Sequence, residues 1–168
     1  MQQQSDRLPA GFYKKTEMSL VTDIIFVKAI RSNTELIAEL PAGDVYNTAI
    51  ALPDEQAENA PLPYIIVTFD GLNNQDTTKD SSYNGLTDQV TIGIEIAAAT
   101  RAQLAIFSVG VRKTIAEYFQ EHVDDTEDDD YALIPNSYQF QAGAVQYDSM
   151  KPCYWQRLTF VCDTDIDE

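Results

Sequence analysis

The residues with the strongest chemical potential sit together. His122-Val123-Asp124-Asp125-Thr126-Glu127-Asp128-Asp129-Asp130 places six carboxylates in seven residues beside the only histidine of the chain. Carboxylates bind hard cations, but a calcium loop of the EF-hand type needs alternate ligands, a central glycine and a glutamate at its twelfth position. The run has neither that spacing nor a glycine. A loose carboxylate site for Ca²⁺ is the metal reading left over, and a solvated charge block is the commoner use of such a run. Asp124, Asp125, Glu127, Asp128, Asp129 and Asp130 are therefore read as a solvated acidic loop.

His122 closes a helical segment, where the helix dipole favours a positive imidazolium, so it reads as a surface or capping residue. Zinc needs several Cys or His ligands, and this chain has Cys153, Cys162 and His122 without a paired motif. A Cys–His nucleophile pair is formally available, but both cysteines fall within one strand-like segment, where packing is the usual role. Nine residues of extended chain span roughly 30 Å at about 3.3 Å per residue, too far for a disulfide between them. Two free thiols suit a reducing compartment. No P-loop, dinucleotide-binding glycine pattern or nucleophile elbow is present. The residues predict no catalytic group, no metal, no cofactor and no enzyme.

Charge narrows the partners. The 168 residues carry 11 Lys and Arg against 27 Asp and Glu, a formal net charge of −16. Such a chain repels phosphates, so no specific nucleic-acid binding is expected. Its basic residues, among them Lys14, Lys15, Lys28, Arg31, Arg112, Lys113 and Arg157, form no evident stripe. No apolar run approaches a membrane span of about 20 residues, and the first residues lack the apolar stretch of a secretory signal.

The elements that must position these groups follow from periodicity. Residues 1–18 read as a flexible arm and 19–168 as a single domain. Ser19–Ser32 is a helix with Leu20, Ile24, Val27 and Ile30 on one face, widened by Ile25 and Phe26. Ser32-Asn33-Thr34-Glu35 matches a capping box and starts a short second helix. Val45-Tyr46 is a short extended piece, and Tyr64–Phe69 is a strand preceded by Pro61 and Pro63. Gly71–Asp88 is long and polar and reads as a functional or disordered loop. Within it Asn73, Asn74, Asp76, Lys79, Asp80, Tyr83 and Asn84 are candidate assembly contacts. Gln89–Ala98 alternates cleanly, with Val90, Ile92, Ile94, Ile96 and Ala98 on one face, and pairs antiparallel with the preceding strand.

Thr100 caps a long helix in which Leu104, Phe107, Val111 and Ile115 recur every three or four residues. Ser137–Tyr147 and Cys153–Asp163 form a closing hairpin; Trp155, Arg157, Thr159 and Val161 alternate with Tyr154, Gln156, Leu158 and Phe160. The order α-β-β-β-α-β-β predicts an α+β fold: a mainly antiparallel sheet of about four to five strands with two main helices packed on one face.

This element order, with Val45-Tyr46, the Ala60-Pro61-Leu62-Pro63-Tyr64 entry into a strand and the helix TRAQLAIFSVGVRKTI, resembles the tail-completion or tail-terminator proteins of long-tailed bacteriophages. The resemblance spans residues 19–163. It implies a structural virion protein of a phage or prophage without catalytic residues. That protein is a homo-oligomer, a hexamer ring when assembled, that caps the tail tube. Its partners are the tail-tube protein and the head–tail connector protein. Its location is the cytoplasm of the bacterial host during assembly and then the virion tail. Other head–tail joining or tail-tube-like components, and a small cytosolic ligand-binding domain or enzyme, are the competing readings. The acidic run and the N-terminal arm are not features of that family. In a ring, a carboxylate-lined lumen would repel passing DNA, which would give Asp124–Asp130 a use.

Overall fold

In the computed structural model, residues 22–47, 60–74, 87–122 and 137–165 are described. They build, in chain order, α1 (Thr22–Ser32), α2 (Thr34–Ala38), β1 (Tyr46–Asn47), β2 (Tyr64–Asn74), β3 (Thr87–Ala98), α3 (Arg101–His122), β4 (Ser137–Ala142), β5 (Gln146–Asp148) and β6 (Cys153–Asp165). The fold is α+β. One six-stranded sheet runs β1-β2-β3-β6-β4, with β5 also on β6. Every pairing is antiparallel except that of β1 with β2.

The core lies where alternation places it. Val90, Ile92, Ile94, Ile96 and Ala98 of β3 are fully buried, as are Ile65 and Val67 of β2 and Phe160 and Cys162 of β6. Leu104, Phe107, Val111, Ile115 and Phe119 of α3 close over them. α1 packs beside α3 on the same sheet face. Phe26 joins the layers, with its ring 5.2 Å from Phe119 and 5.1 Å from Phe160. Burying each of these aromatic side chains stabilises by about 1.5–3 kcal/mol before entropy is counted.

Four local expectations are corrected. The buried stripe of α1 is Ile25, Phe26, Val27, Ala29 and Ile30; Val27 and Ile30 are buried as the spacing implies, but Ile24 is 42% exposed because the sheet lies on the Ile25–Phe26 side. The cap of α2 is Asn33 rather than Ser32: Asn33 Oδ1 accepts from Leu36 N at 3.1 Å, and Ser32 instead donates to Ala29 O at 2.6 Å, finishing α1. The polar stretch after Phe69 continues as strand to Asn74. Asp70 is an extra residue between the pairs Phe69–Ile92 and Gly71–Thr91, a bulge that resets the register so that Leu72 faces Val90. Gly71 follows it at φ +156°, a backbone region side chains rarely adopt.

The fourth correction concerns the closing hairpin. Its first arm is two strands, because residues 143, 144 and 145 lie opposite only residues 156 and 157. Gly143 bridges this break by donating its N–H to Arg157 O at 2.8 Å. Splitting that arm is what raises the strand number to six. No described helix is long and apolar enough to cross a membrane.

Candidate assembly surface

With α1 and α3 on one side, no helix among the described residues covers the opposite sheet face. By register it carries Tyr64, Ile66 and Thr68 of β2, Thr91, Gly93 and Glu95 of β3, and Trp155, Arg157 and Thr159 of β6. These are aromatic, β-branched and charged types, most of them half-buried. Tyr, Trp and Arg are the residues enriched at protein interfaces.

At its centre the side chain of Arg157 lies across Gly93. A Cβ on Gly93 would fall 2.0 Å from Arg157 Nη2 and 2.6 Å from Asp70 Oδ2. The missing side chain is the space the ion pair occupies. Arg157 Nη2 donates to Asp70 Oδ2 and, at 2.9 Å, to Thr68 Oγ1. The Thr68 hydroxyl in turn donates to Asp70 Oδ1 at 2.7 Å. The bulge in β2 supplies Asp70, so three neighbouring strands contribute to one polar lock. Sequence reasoning misses this lock. Gly93 stands at a polar position of the β3 alternation, which is a readable signal; the bulge leaves none.

A second cluster closes one end of the same face. Tyr64 Oη donates to Glu95 Oε1 at 3.4 Å, a long bond, and Lys151 Nζ lies 5.1 Å from the Tyr64 ring centroid while donating to Ala60 O at 2.8 Å. Burial, then the Glu95 charge, pushes the Tyr64 phenol up to about 12. Burial, then Asp148, also raises the Cys153 thiol. In β6 burial pushes Cys162 up to about 12. A nucleophilic cysteine needs its thiolate near neutral pH, and these environments hold both as thiols. Both are free and buried, as expected for packing cysteines.

His122 ends α3 with its ring stacked on Tyr118, centroids 4.1 Å apart. Its Nδ1–H donates to Tyr118 O at 2.7 Å, a local helix-end bond. Of the expected assembly loop, Asn73 and Asn74 belong to β2, opposite Gln89 and Asp88, because the ladder extends past the bulge. Asp76, Lys79, Asp80, Tyr83 and Asn84 lie outside the described residues, as do Asp124, Asp125, Glu127, Asp128, Asp129 and Asp130. Among the described residues no group of three or more His, Cys, Asp or Glu could hold a metal ion.

No protein-family model matches the sequence, and no curated protein matches it either.

Proposed function

We propose that the chain is a structural subunit that acts by surface contact: a tail-terminator-like protein of a phage or prophage. In this reading its copies close into a ring on the tail tube and meet the head connector. The observation that carries the proposal is the sheet itself. One face packs the main apolar cluster against α1 and α3, while the other presents Tyr64, Trp155 and the Asp70–Arg157 lock without a covering helix among the described residues. A sheet face stiffened by cross-strand pairs is suited to contact with another chain. The resemblance of residues 19–163 to tail-completion proteins supplies the identity of the contact.

Native mass spectrometry of the chain, alone and mixed with a phage tail-tube protein, is the test. A ring species that forms alone or on the tube supports the reading. A chain that stays monomeric in both and leaves tube length unregulated overturns it.

A further inference from the structure

The other side of the sheet has an unfinished edge. Among the described residues β4 and β5 pair only with β6, so their outer backbone groups have no strand partner. Exposed edges are ordinarily guarded by charge or proline. Here the sequence from Tyr131 to Tyr147 contains no charged residue at all, in a chain with 38 charged ones (11 basic plus 27 acidic). Along the described part the edge is guarded by the break at Gly143 and, at the far end of β5, by Asp148.

Beside that edge runs an open groove of about 330 Å³ between α3 and the helix-facing side of β4. Phe140, Ala142 and Val145 form its floor, and Ala105 and Val109 its wall. Val109 is 67% exposed and Val145 39%. Among the described residues its only charged lining side chains are Arg101 and Arg112. They are eleven residues apart on α3, which is three turns and about 20° of rotation, so both lie along the same side, roughly 16 Å apart. The sequence shows no stripe of basic residues, but these two share a face. Arg112 is held by Phe140, its guanidinium carbon 4.3 Å from the ring centroid. Neither arginine has an ion-pair partner among the described residues. Two cations over an apolar floor, without a lining carboxylate among the described residues, is the reverse of this protein's overall charge.

We propose that the groove docks an extended acidic segment of a protein partner, which adds to the β4–β5 edge as a further strand. A strand on that edge turns alternate side chains toward α3. Same-face positions four or six apart lie roughly 13 or 20 Å apart, which brackets the arginine spacing. The fitting segment therefore carries carboxylates at such a spacing with small β-branched residues between them. The docking face is the helix side of the sheet edge and does not depend on the ring reading.

The probe is a fluorescently labelled peptide, Glu-Thr-Val-Thr-Val-Thr-Glu, titrated with the full chain. The control replaces both Glu by Lys. Saturable binding of the acidic peptide alone, weakened roughly tenfold or more in Arg101→Glu/Arg112→Glu, is the expected result. Val109→Glu, a change at an exposed position, weakens it by another route. Amides of Ser137–Tyr147 gain protection from hydrogen exchange when the peptide is bound. Absence of saturable binding, equal binding of the Lys peptide, or unchanged edge amides overturns the proposal. So does self-association of the chain that disappears in the same variants, since the occupant is then a second copy.

Discussion

Gly93 and Arg157 show how much one missing side chain organises. In a strand interior glycine weakens the sheet, so its presence at a fully paired position needs a reason. The reason is the guanidinium that occupies the space of its Cβ. Because the clashing atoms are the far end of a flexible side chain, Gly93→Ala should fold, with Arg157 displaced and its ion pair with Asp70 broken. The pair is partly exposed, so the expected cost is at most about 1 kcal/mol, offset in part by alanine's better strand fit. A urea double-mutant cycle with Asp70→Asn measures the link: the two costs should be strongly non-additive, and simple additivity would show that the glycine serves something else.

Cys162 makes a second residue-level prediction. Its thiol is held at about 12 in the fold, while an unfolded thiol titrates near 8.5. Between these values the unfolded chain has released the proton and the native chain keeps it, so stability falls as pH rises. The contribution is complete and flat below about 8.5, and the slope above it approaches roughly 1.4 kcal/mol per pH unit. Tyr64, also held at about 12, adds to the slope only above its ordinary value near 10. Unfolding midpoints at pH 8, 9 and 10 should decline in the native sequence. Cys162→Ala, weaker throughout because of its cavity, should show a shallower decline between pH 8 and 10, the remainder coming from Cys153, whose thiol the fold also raises.

At the level of elements, the legible parts are those with one strong period. β3 alternates from Gln89 to Ile96, and α3 repeats its apolar residues every three or four positions, so both are readable with their buried faces. The polar residues of β2 beyond Phe69 look like loop because strand there is maintained by backbone pairing, which polarity does not reveal. The division of β4 from β5 is hidden for the opposite reason: an uncharged run looks continuous whether or not it is bulged. The Asp70–Arg157 lock joins residues 87 positions apart and depends on the bulge, so no local pattern announces it. What unites the elements is Phe26, the α1 ring that touches Phe119 of α3 and Phe160 of β6. Phe26→Ala should cost about 3–5 kcal/mol, much of a small domain's stability, and loosen α1 first. Hydrogen exchange of α1 amides against those of β3 checks the order; equal acceleration in both would mean that α1 is not a separable layer.

The whole molecule sets two electrostatic terms against each other. At −16, copies brought together in a ring repel, and the repulsion is screened as ionic strength rises, with a Debye length near 30 Å at 0.01 M and about 8 Å at 0.15 M. Self-association through the helix-free face should therefore strengthen with salt. Docking of an acidic segment on Arg101 and Arg112 is an attraction between opposite charges and should weaken over the same range. The two surfaces are thus separable without any substitution. Sedimentation of the chain and anisotropy of the acidic peptide, each followed from 0.01 M to 0.5 M NaCl, should give slopes of opposite sign. If association and peptide binding weaken together, the arginine groove is the surface that joins the copies. The helix-free face then loses its assigned role, because one set of contacts would be carrying both signals.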